Sequence, residues 1–177
     1  MEISAEEKKK AKAQHVMRKR IADEIFETEQ SYVNNLNVLV QQLIRPLEGA
    51  KVMTQAEIYL LVSNWTELAV FHDKFLTQLR ELMRTWNEHT SISALFIELV
   101  GKMQIYQAYM TNYNRAALYL IYLSRKNSTL LFILKGFEEH MKRTTRLPIE
   151  SVFIMPVQRI PRYSLLLRVR KRSFVIA

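Results

Sequence analysis

The sequence predicts an all-α fold, an elongated bundle of long helices, and three observations lead to this prediction. The 177 residues include only three glycines and four prolines, so residues that break helices are rare. Apolar residues recur at steps of three and four over long stretches, which is the spacing of one helix face. The breaks between these stretches are short and carry residues that cap helices. A chain of this length can bury one substantial core.

The first predicted helix runs from about Glu6 to Leu43, with Pro46 and Gly49 marking its expected end. Thr54 and Glu57 then have the spacing of a capping box. They begin a second predicted helix of about thirty residues, which ends near Trp86. The apolar stripe of the first helix is Ile21, Ile25, Thr28, Tyr32, Leu36, Leu39 and Leu43, and the aromatic residues expected in the core from the second are Trp65, Phe71, Phe75 and Trp86.

Two further helices and a proline-containing segment complete the chain. A third helix is expected to end near Arg125, and a fourth, from about residue 129 to 143, is capped by Asn127 or Ser128. Pro156 suits the first turn of a helix and is expected to begin the last one. Pro161 then lies inside that helix, where a proline costs about 3 kcal/mol. Helix propensity alone therefore does not explain this segment. The residues of it that are expected to build the core are Tyr163, Leu165, Leu166 and Leu167.

The net charge of +9 lies at the two ends of the chain. Residues 1–20 carry +4 and residues 141–177 carry +8, whereas residues 21–140 carry −3. A continuous basic stripe with interleaved aromatic residues is missing, which argues against nucleic-acid binding. A contact of the basic ends with acidic lipid is a weaker alternative. The charged N-terminus is unlike a secretory signal, so a cytoplasmic protein is expected, with recruitment to a membrane left open.

Residues for covalent, metal or cofactor chemistry are scarce. The chain has no cysteine, and its four histidines are scattered without the spacing that places two metal ligands on one helix face. Each histidine is expected to be an exposed helix residue. Glycine-rich phosphate loops and dinucleotide motifs are absent. We therefore expect neither a metal site nor a cofactor, and no enzyme with a covalent mechanism.

Two segments at opposite ends of the helical region resemble a known family. The first is IADEIFETEQSYVNNL, residues 21–36, and the last is PVQRIPRYSLLL, residues 156–167. They resemble the first and third signature regions of the Dbl-homology (DH) domain, the catalytic module of Rho-family guanine-nucleotide exchange factors. Residues 106–118 are similar to the second region. The resemblance covers about residues 16–167, with 1–15 a basic helix start or tail and 168–177 an atypical basic tail.

The resemblance implies a guanine-nucleotide exchange factor that makes and breaks no covalent bond. Such domains bind a small GTPase of the Rho, Rac or Cdc42 type, deform its switch segments, expel its Mg²⁺ and promote GDP release. Glu24 matches the acidic residue with which the family engages the first switch. Gln158 and Arg162 match switch-contacting positions of the last signature helix, although many members have lysine in place of Arg162. Arg159 is expected to be structural.

The end of the sequence departs from the family pattern. In the family the last signature helix continues and a further long helix follows, whereas here Leu167 is followed by ten residues without a helical stripe. We therefore expect the last helices to be incomplete, with apolar surface left exposed or covered by self-association. The alternative function is a truncated DH-like binding or scaffold protein with little or no exchange activity.

Overall fold

The computed structural model describes the backbone of residues 4–175 and the side chains of residues 4–123 and 125–168. Every regular element in this part of the chain is helical, so the predicted all-α class is confirmed. None of these helices is long and apolar enough to cross a bilayer. The α-helices are α1 (Ala5–Leu39), α2 (Arg45–Ala50), α3 (Gln55–Val62), α4 (Trp65–Arg84), α5 (Ser93–Gly101), α6 (Tyr106–Ser124), α7 (Ser128–Thr144) and α8 (Ile149–Val175).

The first helix continues beyond its predicted end. A π-helical turn, Val40–Ile44, joins α1 to α2 without a break, and the Arg45 amide donates to the carbonyl of Val40, five residues back. Pro46 explains this turn, because a proline lacks an amide hydrogen and its ring clashes with the carbonyl four residues earlier in a regular α-helix. The chain leaves the helix at Lys51, whose φ of 52° is left-handed.

The second predicted helix is two helices. The Thr54 hydroxyl accepts from the Glu57 amide at 3.2 Å, and the Glu57 carboxylate accepts from the Thr54 amide at 2.7 Å, so the predicted capping box is confirmed. However, α3 ends at Ser63, whose φ is 51° and ψ is −137°. A non-glycine residue in such a conformation costs of order 1–3 kcal/mol. The apolar spacing runs on from Leu61 to Trp65, so periodicity alone gave no sign of the break.

The third predicted helix is also divided. A 3₁₀ turn, Met103–Ile105, separates α5 from α6. The fourth predicted helix is α7, and its predicted cap is confirmed. The Asn127 side-chain oxygen accepts from the Leu130 amide at 2.9 Å.

The last helix begins earlier than predicted, at Ile149 rather than at Pro156. Both Pro156 and Pro161 lie inside α8, where they remove two helical hydrogen bonds. Packing explains the earlier start, because Val152 and Phe153 are buried in the core and hold the first turns in place. The backbone of α8 runs through most of the segment expected as a tail, and residues 176–177 lie outside the described part.

Two adjoining cores hold the bundle together, and α1 contributes to both. The larger core surrounds Trp65 and includes Leu36, Phe137 and Val152. The smaller core joins Ile21 and Ile25 to residues of α4, α5 and α8, including Leu166. Since Leu166 shares a core with Ile21 and Ile25 whereas Arg159 contacts Glu29 farther along α1, α8 runs antiparallel to α1. A 35-residue helix is about 52 Å long, which makes the bundle elongated.

Half of the eight residues predicted to build the core are buried. Trp65, Phe75, Tyr163 and Leu166 are buried, as predicted. Leu165 is 64% exposed, so its assignment to the core was wrong. Successive residues of a helix point about 100° apart, and one face cannot hold three consecutive leucines. Phe71, Trp86 and Leu167 are half-buried.

Candidate functional site

A groove between α1 and α8 brings together the two segments that the sequence singled out. The two helices pack antiparallel, which places residues near position 30 beside residues near position 160. The groove has a volume of ≈ 260 Å³. Its lining residues are Glu27, Thr28, Ser31, Tyr32 and Asn35 of α1, and Met155, Gln158, Arg159 and Arg162 of α8.

Gln158 and Arg162 both line this groove and are exposed. They are four residues apart on α8, which places them on one helix face. The amide of Gln158 can donate and accept, and the guanidinium of Arg162 presents a planar fork of donors. Two of the three predicted site residues therefore lie together, at a surface suited to backbone and carboxylate groups of another protein.

Glu24, the third predicted site residue, is exposed on α1 but does not line the groove itself. It lies one turn before Glu27 and Thr28. Positions 24, 28, 31 and 35 form a single stripe along the helix, because residues three and four apart share a face. Glu24 therefore extends the α1 wall of the groove toward the N-terminus.

A buried polar network lies directly beneath the groove, and its center is Glu29, which is fully buried. One carboxylate oxygen of Glu29 lies 2.7 Å from Nδ1 of His72 on α4. The other accepts hydrogen bonds from Arg159 and Tyr163 of α8. One side chain of α1 thus connects two other helices.

The network continues from His72 into α6 and back to α1. Nε2 of His72 lies 2.6 Å from the hydroxyl of Tyr106, which lies 3.3 Å from the hydroxyl of Tyr32. A carboxylate can only accept, so Nδ1 carries a proton, and the Tyr106 hydroxyl can donate to Nε2. With a single ring proton on Nδ1, His72 therefore has a hydrogen bond at each ring nitrogen.

Arg159 belongs both to the network and to the wall of the groove. Its guanidinium carbon lies 4.4 Å from the ring center of Tyr163 and 5.0 Å from that of Tyr32. Contacts of a guanidinium with an aromatic face are attractive, more so when they are desolvated. Arg159 therefore points inward, as expected of a structural residue, while its neighbour Gln158 points outward.

The network contains one buried ion pair, Glu29 with Arg159. Burial favours the neutral form of Glu29, but the hydrogen bond from His72 and the charge of Arg159 outweigh it and hold the pKa of this carboxyl below its ordinary value. Burial raises the pKa of the Tyr32, Tyr106 and Tyr163 hydroxyls. These hydroxyls therefore stay protonated and serve as donors at neutral pH.

Among the side chains that the structure describes, no group of three or more acidic or histidine residues is arranged to hold a metal ion. The surface of the groove offers hydrogen bonds and ion pairs around an open concavity. Such an arrangement is suited to binding a loop of another protein.

Comparison with known proteins identifies the family. The model described as "RhoGEF domain" matches residues 21–170, most of the chain. The chain belongs to the RhoGEF domain family. The match includes both helices that form the groove.

Curated relatives of this RhoGEF domain are much longer proteins. Human "Rho guanine nucleotide exchange factor 17" is 31% identical over 165 residues, which are 89% of this chain and 8% of the relative. Human "FYVE, RhoGEF and PH domain-containing protein 2" is 29% identical over 155 residues, 85% of this chain and 24% of the relative. The chain thus spans less than a quarter of the length of either protein.

Solved structures share the DH-type fold of this RhoGEF domain. A DH/PH fragment of PDZRHOGEF in complex with human RhoA has a TM-score of 0.78 at 22% identity, covering 88% of this chain and 45% of that one. An N-terminally truncated linker-DH/PH fragment of p115-RhoGEF has the same TM-score and identity, covering 88% of this chain and 48% of that one. The prediction of a DH-like helical bundle is confirmed.

The residues beneath the groove of this RhoGEF domain were not predicted from its sequence. His72 was expected to be exposed and is fully buried, which corrects that prediction. A signal was present, because His72 continues the buried stripe of Trp65, Leu68 and Phe75. In the same way Glu29 lies between Ile25 and Tyr32 on the buried face of α1. A charged residue on a core-facing stripe indicates a buried partner, although the sequence does not say which one.

Proposed function

We propose that this chain is a guanine-nucleotide exchange factor for a Rho-family small GTPase and that the groove between α1 and α8 is its GTPase-binding surface. The observation that carries the proposal is that Gln158 and Arg162 share one groove with α1, more than a hundred positions away in sequence. Membership of the RhoGEF family supports it. One relative is named as a Rho guanine nucleotide exchange factor, and one structural neighbour is bound to human RhoA.

Each predicted site residue has a distinct chemical task in this proposal. The carboxylate of Glu24 accepts hydrogen bonds from backbone amides of the first switch segment. Gln158 and Arg162 hold switch-segment carbonyl and carboxylate groups from the opposite wall. Hydrogen bonds to ionised groups are roughly twice as strong as neutral ones, so these contacts stabilise the displaced position of the switch segments.

Exchange then follows from linkage between two binding equilibria. A surface that fits the displaced switch segments binds the nucleotide-free GTPase more tightly than the nucleotide-bound form. By thermodynamic reciprocity the nucleotide is bound more weakly in the complex, and a new nucleotide in turn weakens the complex. The chain acts without making or breaking a covalent bond.

The buried network beneath the groove contributes rigidity. Glu29, His72 and Arg159 tie α1, α4 and α8 together, so the two walls of the groove keep their separation when the GTPase binds. A preorganised surface loses little conformational freedom on binding. The interaction energy is therefore available to deform the GTPase rather than the exchange factor.

A fluorescent-nucleotide release assay on Rho-, Rac- and Cdc42-type GTPases tests the proposal. We expect micromolar chain to accelerate GDP release from at least one of them. Hydrogen bonds to charged groups contribute about 1.5–3 kcal/mol, so Glu24→Ala and Arg162→Ala should each lower the exchange rate about 10- to 100-fold.

The matched controls are Glu67→Ala and Arg80→Ala, which remove the same charges from exposed positions of α4. These variants should exchange nucleotide at the wild-type rate. Full activity in both groove variants would remove the site assignment. Binding of the GTPase without any acceleration of release would support the alternative, a DH-like binding or scaffold protein.

A further inference from the structure

The start of α1, residues 4–13, forms a capped helix that the rest of the bundle leaves uncovered. The Ser4 hydroxyl accepts from the Glu7 amide at 3.2 Å, and the Glu7 carboxylate accepts from the Ser4 amide at 2.8 Å. Residues 4–13 are all exposed. The sequence left open whether this segment is a helix start or a tail, and the structure gives it a defined helical start without tertiary packing.

Positive charge is concentrated on this segment and on residues 14–20, where Arg18 donates to the Glu88 carbonyl and Lys19 Nζ lies 5.8 Å from the Trp86 ring center. Residues 5–20 contain seven Lys or Arg and two Glu, a net charge of +5. Lys8 and Lys12 lie one helical turn apart, and like charges at this spacing destabilise a helix. Within the described residues, the ion pairs of this segment are limited to that of Lys19 with Asp23. The repulsion among Lys8, Lys9, Lys10 and Lys12 is therefore left for solvent or an anionic partner to relieve.

Helix α8 adds Arg168 to the same end of the molecule. Leu166 shares a core with Ile21 and Ile25, and the antiparallel helix continues past this point. Arg168 lies two residues beyond Leu166 and is exposed. We call residues 8–20 of α1 and Arg168 of α8 the basic pole.

A narrow apolar strip accompanies the charges. Val16 and Met17 are 44% and 40% exposed. With Ala13 they line a shallow depression of ≈ 370 Å³, bordered by Lys9, Lys12 and Arg20. A helix with a lysine- and arginine-rich face next to an exposed apolar strip is typical of helices that lie on a membrane surface.

We propose that the basic pole is a docking surface for an acidic membrane. Clusters of four to eight Lys and Arg on a helix attract anionic lipid, and the pole contains eight. Charge complementarity calls for an anionic partner, and residues 4–20 contain no Phe, Tyr or Trp on which bases could stack, which favours a lipid surface over nucleic acid. Residues 21–140 carry the opposite sign, −3, and offer no net attraction to an anionic surface.

The four lysines at the start of the pole lie away from the groove. Lys12 lies twelve residues before Glu24 on one continuous helix, a distance of roughly 18 Å at 1.5 Å per residue. A membrane bound through Lys8, Lys9, Lys10 and Lys12 therefore lies about three helical turns or more from Glu24. The proposal goes beyond the exchange function and stands without it.

Cosedimentation of the full chain with lipid vesicles tests the proposal. We expect binding to phosphatidylcholine vesicles that contain about one-third phosphatidylserine, weakening as salt is added, and none to pure phosphatidylcholine. The test variant carries Lys8→Gln, Lys9→Gln, Lys10→Gln and Lys12→Gln, because glutamine and lysine have similar helix propensity. Each basic residue contributes about fivefold, so the partition coefficient should fall by more than about a hundredfold.

The matched control carries the same loss of four charges at scattered exposed positions, Lys74→Gln, Arg80→Gln, Lys126→Gln and Lys135→Gln. It should bind acidic vesicles within a fewfold of the wild type, and circular dichroism should show wild-type helix content in both variants. An equal loss of vesicle binding in the control would show that net charge alone drives the binding, and it would overturn the proposal. Equal binding to neutral and acidic vesicles, or binding to duplex DNA as tight as to vesicles at the same salt, would also overturn the proposal.

Discussion

At the scale of single residues, Glu29 and Arg159 connect the two walls of the groove although they lie 130 positions apart in sequence. Their side chains are 0% and 3% exposed. A buried ion pair of this kind contributes little net stability when both partners are present, but it leaves an uncompensated charge when one is removed. The pair therefore acts mainly as a constraint on the position of α8.

Removal of one partner should strongly destabilise the fold. We expect Glu29→Ala to lower the free energy of unfolding by about 3–5 kcal/mol, because the guanidinium of Arg159 would stay buried without its partner. Urea unfolding followed by circular dichroism measures the change. The control is Arg84→Ala, which breaks the exposed pair with Glu81 and should cost at most about 1 kcal/mol. Equal costs for the two variants would contradict the role assigned to the network.

The same carboxylate predicts a pH dependence of stability. The pKa of Glu29 is lower in the folded chain than its ordinary value, so its contribution is complete above that ordinary value, about 4.3. This contribution is lost as the pH falls through the lowered folded pKa. In Glu29→Gln the group cannot ionise. The stability difference between wild type and Glu29→Gln should therefore be largest at neutral pH and narrow below about pH 4.3.

Urea titrations of both proteins between neutral and acidic pH measure this difference. The comparison cancels the exposed carboxylates whose pKa values are also lowered, such as Glu57 and Glu98, since both proteins contain them. A difference that is constant over the whole range would mean that folding does not lower the pKa of Glu29.

At the scale of elements, α8 combines two prolines with the residues that face the groove. Pro161 lies between Gln158 and Arg162 and removes the amide that would bond to the carbonyl of Val157. Interior prolines bend helices. The element that carries two of the three proposed contact residues is therefore less stable than a regular helix of the same length.

Pro161→Ala should separate stability from function. Alanine restores the amide hydrogen and the highest helix propensity, so the free energy of unfolding should rise by up to about 3 kcal/mol. We expect the exchange rate to fall nonetheless, because the path of α8 through Gln158 and Arg162 changes. Urea unfolding and the nucleotide-release assay measure the two effects. Pro148→Ala, which lies before α8, is the control and should change neither; a Pro161→Ala variant with undiminished exchange would contradict this account of α8.

The elements also show what periodicity can and cannot predict. The stripe of α1 and the caps at Thr54 and Asn127 depend on local spacing and were predicted from the sequence. The break at Ser63 was not, because the apolar spacing continues across it. The start of α8 at Ile149 was missed as well, since tertiary burial of Val152 and Phe153 decides it.

At the scale of the whole molecule, the antiparallel pairing of α1 and α8 produces two separate surfaces. Near the middle of α1 the pairing forms the groove with Gln158 and Arg162. Toward the start of α1 it adds Arg168 of α8 to the basic residues of α1 as the basic pole. The sequence placed charges at the two ends of the chain, but only the pairing of the helices brings Arg168 to the same end of the bundle as residues 8–20 of α1.

The candidate site shows the same division between local and long-range information. Glu24, Gln158 and Arg162 were proposed from motifs, and the structure places the latter two in one groove with α1. The network under the groove joins residues of four helices. Hydrogen bonds among such distant residues follow from the packing of the helices, which no local pattern in the sequence encodes.

The central claim is that the groove favours the nucleotide-free state of a Rho-family GTPase. The most direct test compares the affinity of the chain for one GTPase in three states, nucleotide-free, loaded with GDP and Mg²⁺, and loaded with a nonhydrolysable GTP analogue. We predict tight binding to the nucleotide-free state alone, reversed by excess GDP or GTP, and lost in Glu24→Ala. Equal affinity for all three states, or preference for a nucleotide-loaded one, would contradict the account.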